Sequence, residues 1–231
     1  MRRLIAAIDT PDVLKAAALV RDIAPHCGLV KLGLEFFLRH GALGYREVAQ
    51  ERPVFLDLKL HDIPNTVAGA VRSLLPLAPR MLTIHAAGGG AMVEAAAKAA
   101  AEAPRRPKIL AVTVLTSLDA RALHEIGVAG GTTQQVLRLA RMALENGADG
   151  LVCSPHEIAP LRDGFGEKPL LVVPGIRPPG AALGDQARVM TPEEAVSAGA
   201  DYIVVGRPIT EAPEPGVAAA RIAAGIYGLR G

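Results

Sequence analysis

Eight short apolar runs recur along the 231-residue chain, and each is followed by a segment in which apolar residues have helical spacing. The apolar runs are residues 4–8, 29–32, 54–58, 81–84, 109–115, 150–153, 170–173 and 202–205. The helical segments are residues 13–24, 35–50, 66–75, 91–101, 133–146, 156–163, 192–198 and 209–226. One strand–helix unit per roughly 29 residues is the usual spacing of a (β/α)8 barrel. The pattern therefore predicts the α/β class, with residues 1–231 forming a single (β/α)8 TIM-barrel domain.

Local signals at the ends of the segments agree with this fold. The stretches ENGAD (145–149) and SAGAD (197–201) place glycine where a helix has to stop before the next strand. The main competitor is a doubly wound open sheet, which usually has a glycine-rich turn after its first strand. Here that position reads AIDTPDV and contains no glycine. The sequence thus favours the closed barrel.

Composition excludes several classes of function. The formal net charge is only +2, and the basic residues near 105–108 have no aromatic neighbours on which bases stack, so nucleic-acid binding is not predicted. No apolar run approaches the length of a membrane span, and the first one stops at Asp9, too early for a signal peptide. Cys27 and Cys153 lack metal or redox spacing. We expect a soluble, cytoplasmic protein with two buried thiols.

The third strand ends in an unusual cluster of charges. In FLDLKLHDIPNT (55–66), Asp57 and Lys59 have the same parity, and Asp62 lies just beyond the strand. Charges in an apolar run are costly unless they are paired, so the cluster is either an ion network or a functional site. With Lys31 from the second strand, the alternating signs let the four charges satisfy one another while both lysines stay protonated. Lys59 is then a proton donor rather than a Schiff-base nucleophile.

The ends of the last two strands predict a phosphate site. The stretch VVGRPIT supplies Gly206 and Arg207 at the start of a helix, where free backbone N–H groups and a guanidinium bind anions. Residues 177–188 are too long for a simple connection and rich in Gly and Pro, so we interpret them as a mobile lid carrying Arg177 and Gln186. The predicted ligand is a phosphorylated small molecule whose other end meets the charge cluster.

The stretch DLKLHDIPNTV (57–67) resembles the signature of the orotidine 5′-monophosphate decarboxylase family, Asp-x-Lys-x-x-Asp followed by Ile-Pro-Asn-Thr. The likeness continues in order along nearly the whole chain through AIDT, KLGLEFF, HAAGG, VTVLTS, PGIR…DQ and VVGRPIT. The resemblance implies a barrel enzyme that converts orotidine 5′-monophosphate (OMP) to UMP and CO2 in de novo pyrimidine biosynthesis. It also implies a homodimer that uses no metal and no organic cofactor.

The resemblance also implies roles for individual residues. The implied catalytic residues are Lys59, which protonates carbon 6 of the pyrimidine, Asp57 beside the substrate carboxylate, Lys31 between that aspartate and the ribose, and Asp62. Asp62 and Thr66 are expected to reach into the neighbouring subunit's site. The further substrate-binding residues implied are Asp9 at the ribose, Ile63 beside Asp62, Thr116 and Pro174 at the pyrimidine, Gln186 between pyrimidine and phosphate, and Arg177, Gly206 and Arg207 at the phosphate.

Two other functions remain open from the sequence. Metal-dependent decarboxylases and aldolases of sugar phosphates share the Asp-x-Lys-x-x-Asp core, but the DIPNT continuation and the Asp-Gln of the lid argue against them. A phosphate-binding barrel without activity would have no need to keep Asp57 and Lys59. The histidines lack ligand spacing, so no metal site is predicted. We expect His61 at the surface or an interface and His85 packed near the site.

Overall fold

The computed structural model describes residues 2–178, 190–227 and 229. Within them, eight parallel strands form a closed barrel in sequence order, and β8 pairs with β1. The strands are β1 (Leu4–Ile8), β2 (Leu29–Gly33), β3 (Val54–Leu60), β4 (Met81–His85), β5 (Lys108–Val112), β6 (Gly150–Val152), β7 (Leu170–Val173) and β8 (Tyr202–Val205). The predicted (β/α)8 fold is confirmed.

Ten α-helices connect and surround the strands of the described chain. They are α1 (Val13–Ile23), α2 (Leu34–Ala49), α3 (Pro64–Leu74), α4 (Gly90–Ala100), α5 (Ala120–Glu125), α6 (Thr132–Glu145), α7 (Ile158–Phe165), α8 (Pro192–Ala198), α9 (Arg207–Thr210) and α10 (Pro215–Gly225). None of the helices among the described residues combines the length and the apolar character needed to span a membrane.

Three elements differ from the sequence prediction. The helix expected over 209–226 is two helices, α9 and α10, because Pro213 and Pro215 have no N–H to continue the first one. The strand expected over 109–115 ends at Val112, because its neighbours β4 and β6 end at His85 and Val152, the residues that pair with Val112. Helix α5 was not predicted, since its six residues are too few to display helical periodicity.

Two hydrophobic clusters fill the molecule on the two sides of the barrel wall. The larger one lies between strands and helices, where α4 buries Ala96, Ala99 and Ala100 completely. The smaller one occupies the barrel interior and consists of Ile5, Ala7, Leu29, Phe55, Met81, Leu110, Val172, Tyr202 and Val204. Small and branched side chains thus fill both layers, as expected from a chain with 50% hydrophobic but only 3% aromatic residues.

Asp149, which directly precedes β6, forms hydrogen bonds with the amino-terminal end of β5. Asp149 Oδ2 accepts a hydrogen bond from the main-chain N–H of Ile109 at 2.9 Å. Its Oδ1 accepts from Arg106 Nη1 at 2.7 Å and from Lys108 Nζ at 3.0 Å. Asp149, the last residue of the ENGAD turn, therefore also holds the neighbouring strand β5 in position.

The last residue of SAGAD does the same between β7 and β8. Asp201 Oδ2 accepts from the main-chain N–H of Leu171 at 2.8 Å and from Arg162 Nη2 at 2.7 Å. Arg162 Nη2 and Nε also donate to the carbonyl oxygen of Gly199, at 2.8 and 3.0 Å. Both aspartates lie at the amino-terminal face of the barrel, opposite the predicted site, where side-chain contacts serve stability rather than chemistry.

We predict that Asp149→Asn destabilises the protein without affecting its active site. Burial raises the pKa of Asp149, but hydrogen bonds from Arg106, Ile109 and Lys108 outweigh it and hold the pKa below its ordinary value of 3.8. The charged hydrogen bonds contribute about 1–3 kcal/mol to the free energy of unfolding. Because the folded-state pKa is depressed, this contribution is complete above pH 3.8 and is lost as the pH falls through the folded-state pKa.

Urea unfolding of wild type and variant, at pH 7 and at stepwise lower pH, measures the effect. The difference in unfolding free energy should be largest at pH 7 and shrink below pH 3.8. Asp163→Asn is the control, because Asp163 is exposed and should change the free energy by less than about 0.5 kcal/mol. Equal stability of the two variants at pH 7 would contradict the role given to Asp149.

Candidate active site

The interior of the barrel changes from apolar to polar toward the carboxyl ends of the first four strands. On each strand, the residue two positions after an interior apolar side chain is polar. These pairs are Ala7 and Asp9, Leu29 and Lys31, Phe55 and Asp57, and Met81 and Thr83. Because side chains alternate along a strand, the second member of each pair occupies the inward-facing position one layer higher. A polar layer therefore lies directly above the apolar core.

Three of these residues, Asp9, Lys31 and Asp57, form a continuous array of ion pairs with Lys59, which is called the charge array below. Lys31 Nζ lies 3.1 Å from Asp9 Oδ1 and 3.7 Å from Asp57 Oδ2. Lys59 Nζ lies 2.9 Å from each carboxylate oxygen of Asp57. The side chains of Lys31 and Asp57 are only 12% and 13% exposed, whereas Lys59 is 38% exposed and therefore reaches the open side of the array. Asp57 thus bridges two ammonium groups in a largely buried position.

The environment of Asp57 keeps it ionised. Burial raises the pKa of its carboxyl group, but the charges of Lys31 and Lys59 and hydrogen bonds from Lys59 and Thr83 outweigh burial. The net result is a pKa below the ordinary value of 3.8. The carboxylate accordingly stays negative near neutral pH and holds both lysines in place.

The main chain at Lys59 departs from regular strand geometry, which the sequence did not predict. Leu56 pairs with Leu82 and Leu60 pairs with Ile84, so that four steps along β3 oppose two along β4. Within this bulge Lys59 has φ = 50°, a left-handed conformation that non-glycine residues rarely adopt. The alternation of side chains between the two faces of the sheet is therefore interrupted at Lys59. The predicted meeting of the Asp57 and Lys59 side chains nevertheless occurs.

The predicted fourth partner, Asp62, does not join the array within a single chain. Its Oδ1 accepts from the main-chain N–H of Ile63 at 2.7 Å, and among the described residues Asp62 makes no ion pair with either lysine. Residues 61–66 are all exposed, and Ile63 is 67% exposed. Asp62, Ile63 and Thr66 consequently stand on the outside of the chain. The expectation that four charges satisfy one another is wrong for the isolated subunit.

A cleft of about 410 Å³ opens above the barrel interior. Nine predicted site residues line it, namely Asp9, Lys31, Asp57, Lys59, Thr116, Pro174, Arg177, Gly206 and Arg207. Lining residues that the sequence analysis did not single out are Ala7, Phe55, Val112, Val114, Leu115, Val152, Cys153, Gly175, Val204 and Glu211. Five of these ten residues belong to strands, and for them the inward parity of the strand was the signal that could have identified them. Gln186 lies outside the described residues.

The side of the cleft formed after β7 and β8 is suited to an anion. Arg177 and Arg207 both line this side. Gly206 passes close to the charge array, because a Cβ at this position would lie 3.5 Å from Asp9 Oδ2. Gly175 has φ = 79°, a conformation that favours glycine and that turns the chain after β7. Two arginines and a closely approaching main chain therefore line the end of the cleft next to β1, although Arg177 Nη1 also donates to the carbonyl oxygen of Ile176 at 2.9 Å.

Two histidines lie beside the array. The rings of His61 and His85 are stacked with their centroids 5.2 Å apart. Burial lowers the pKa of His85, and the nearby His61 and Lys59 lower it further. His61 is exposed and His85 is half-buried, as the sequence predicted. Across the described part of the chain, no three His, Cys, Asp or Glu side chains are grouped to hold a metal ion.

Cys27 and Cys153 are both buried free thiols, as expected. Burial raises the pKa of each thiol, that of Cys27 to about 12. Cys153 therefore contributes a neutral, apolar surface to the wall of the cleft.

Comparison with known proteins agrees with this geometry. The model of the Orotidine 5'-phosphate decarboxylase / HUMPS family matches residues 2–222. A protein from Anaeromyxobacter sp. (strain K) named orotidine 5'-phosphate decarboxylase is 57% identical over 225 residues, which cover 97% of this chain and 98% of the relative. A protein of the same name from Thermobifida fusca (strain YX) is 54% identical over 223 residues, covering 96% and 94%.

Solved structures support the same relationship. The orotidine 5'-phosphate decarboxylase from Lactobacillus acidophilus superposes with a TM-score of 0.88 at 37% identity, covering 99% of this chain and 100% of that one. The enzyme of the same name from Pyrococcus horikoshii OT3 gives a TM-score of 0.79 at 27% identity, covering 97% and 99%. On this evidence the chain belongs to the orotidine 5′-phosphate decarboxylase / HUMPS family.

Proposed function

We propose that this chain, as one barrel domain, is an orotidine 5′-phosphate decarboxylase, a carboxy-lyase that converts OMP to UMP and CO2 in de novo pyrimidine biosynthesis. The observation that carries the proposal is the Asp9–Lys31–Asp57–Lys59 array, which lines the same cleft as Arg207. Curated relatives at 47–57% identity that cover at least 95% of this chain bear this enzyme's name. The alternative of a metal-dependent sugar-phosphate enzyme is not supported by them.

The shape of the cleft suggests how the nucleotide lies. We propose that the phosphate binds at Gly206, Arg207 and Arg177, where two positively charged side chains and a closely approaching main chain line the cleft. Thr116, which follows β5, and Pro174, which follows β7, contact the pyrimidine in this proposal.

The ribose then lies between the phosphate and the charge array. Its hydroxyl groups meet Asp9 and Lys31, which are hydrogen-bonded to each other at 3.1 Å. The family resemblance supports a role for Gln186 between pyrimidine and phosphate. This arrangement puts carbon 6 of the pyrimidine and its carboxylate beside Asp57 and Lys59.

The chemical difficulty is a carbanion at carbon 6 that the ring cannot delocalise. When the carbon–carbon bond to the carboxylate breaks, its electron pair remains on carbon 6 and CO2 leaves. The ammonium of Lys59 stabilises the developing charge and then gives its proton to carbon 6, and solvent restores the lysine proton. Because both oxygens of Asp57 hold Lys59 Nζ at 2.9 Å, the donor is oriented before the reaction begins.

Asp57 makes a second contribution through its charge. Asp57 remains ionised, so binding of OMP brings the carboxylate of the substrate close to the carboxylate of Asp57. Loss of CO2 removes the substrate carboxylate and relieves the repulsion between them. Contacts to the phosphate, far from the reacting carbon, supply the binding energy that offsets this repulsion. In this proposal the reaction uses neither a metal ion nor an organic cofactor.

We further propose that the enzyme is a cytoplasmic homodimer in which Asp62, Ile63 and Thr66 complete the neighbouring subunit's site. These three residues are exposed and absent from the lining of their own cleft. Ile63 is itself 67% exposed, and Leu34 and Leu38 at the start of α2, which follows the neighbouring strand β2, are 51% and 75% exposed. Apolar side chains next to exposed functional residues are typical of an interface that also carries chemistry.

The role of Lys59 predicts that Lys59→Ala abolishes metal-independent turnover. Loss of the ammonium removes both the proton donor and the charge that stabilises the carbanion, so kcat should fall at least about a thousandfold. The measurement is ultraviolet-monitored turnover of OMP in excess chelator. Lys98→Ala is the matched control, because Lys98 is an exposed lysine on α4 that forms an ion pair with Glu94, four residues earlier on the same helix.

Chelator should leave wild-type kcat unchanged within about twofold, since no metal takes part in the proposed chemistry. Activity that disappears in chelator and returns with Mg²⁺ would contradict the cofactor-free mechanism. A wild-type protein that does not turn over OMP under either condition would refute the proposed function.

The proposed sharing of sites predicts complementation between two inactive variants. Lys59→Ala and Asp62→Ala homodimers should each be nearly inactive. A hybrid dimer with one variant in each subunit should have one intact site and about half of the wild-type activity per dimer. Hybrids can be isolated with two different affinity tags and assayed with OMP. If Asp62 serves its own subunit instead, both sites of the hybrid are damaged and activity stays at the level of the parents.

A further inference from the structure

Thr83 occupies the inward-facing position on β4 directly beside the charge array. Its side chain is completely buried, and it does not line the cleft. We propose that Thr83 is a positioning residue for the proton donor, with one hydroxyl that fixes both the main chain of Lys59 and the carboxylate of Asp57. This inference rests on the proposed decarboxylase function.

One oxygen atom connects the two functional residues. Thr83 Oγ1 accepts a hydrogen bond from the main-chain N–H of Lys59 at 2.8 Å. The same hydroxyl donates its proton to Asp57 Oδ1 at 2.9 Å. Because a hydroxyl carries one proton and two lone pairs, it can satisfy a donor and an acceptor at once. A methyl group in its place satisfies neither.

The hydrogen bond to Lys59 stabilises an unfavourable main-chain conformation. Lys59 has φ = 50° inside the bulge of β3, where L-residues other than glycine are disfavoured. Such a conformation persists only where the surroundings hold it. The Thr83 hydroxyl is the partner of the Lys59 N–H at this point, and it comes from the opposite strand of the bulge. Its removal leaves a main-chain donor without this partner.

The second hydrogen bond orients Asp57 from the neighbouring strand β4. Asp57 Oδ1 accepts from Thr83 and from Lys59 Nζ, whereas Oδ2 faces both Lys59 and Lys31. The plane of the carboxylate is therefore set by groups on three strands, β2, β3 and β4. Since a displacement of about 1 Å in a catalytic group can lower a rate by two orders of magnitude, loss of one of these contacts affects the chemical step.

A set of three variants tests the inference by steady-state kinetics with OMP. Thr83→Val keeps the shape and removes the hydroxyl, and Thr83→Ser keeps the hydroxyl and removes the methyl group. Thr113→Val is the matched control, because Thr113 is a buried threonine that follows β5 and donates only to the carbonyl oxygen of Val152, at 3.1 Å. Thermal unfolding of each variant establishes that it is folded.

We expect Thr83→Val to lower kcat at least about tenfold while KM changes less than about threefold, because the hydroxyl orients the proton donor rather than the substrate. Thr83→Ser should stay within about threefold of wild-type kcat, and Thr113→Val within about twofold, since neither loses the hydroxyl that links Asp57 to Lys59. Rescue by serine distinguishes orientation from filling of space.

If Thr83→Val does not fold, Thr83→Cys is compared with Thr83→Ser instead. The two side chains have the same shape, but the thiol of cysteine forms only weak hydrogen bonds, whereas the hydroxyl of serine forms ordinary ones. Loss of kcat with cysteine but not with serine would support the inference. Wild-type-like kcat in Thr83→Val or Thr83→Cys, alongside an active wild type, would overturn the inference and leave the decarboxylase function intact. An inactive wild type would overturn both.

Discussion

The bridge that Asp57 forms between Lys31 and Lys59 is the interaction on which the proposed site depends. A carboxylate at 13% exposure is stable as an anion only with compensating charge, and each lysine supplies it from a different direction. Removal of Asp57 would leave two ammonium groups facing each other at the end of the barrel. The same bridge leaves Lys59 the more exposed of the two lysines, on the side where the substrate is proposed to bind.

The barrel separates this electrostatic arrangement from the contacts that stabilise the fold. Asp149 and Asp201 tie neighbouring strands together at the amino-terminal face, while the functional charges lie at the carboxyl ends. Between the two faces lies an apolar layer that includes Phe55 and Val204. We therefore expect a substitution at one face to leave the side-chain geometry at the other face unchanged. This separation allows a strained residue such as Lys59 to persist within a stable scaffold.

Much of the fold follows directly from periodicity. The strands predicted over 170–173 and 202–205 have the observed bounds, because these apolar runs are too short for a helix and are bounded by turn residues. The lysines and aspartates of the charge array could be predicted because charged residues are unusual in or directly after apolar strands. Thr83 was not identified from the sequence, because threonine is common in strands. Its hydroxyl can accept a hydrogen bond from the Lys59 N–H because the bulge in β3 brings the two groups together. That bulge depends on pairing between strands, which periodicity does not reveal.

The most direct test of the central claim is a pH titration of the Asp57 carboxyl carbon by ¹³C NMR. The resonance can be assigned by its absence from the spectrum of Asp57→Asn. Two flanking ammonium groups and the Thr83 hydroxyl should keep Asp57 ionised, so we expect its chemical shift to remain that of a carboxylate until the pH is below 3.8. A midpoint above this value would mean that burial prevails over the lysines, and it would contradict the charge array as the basis of the site.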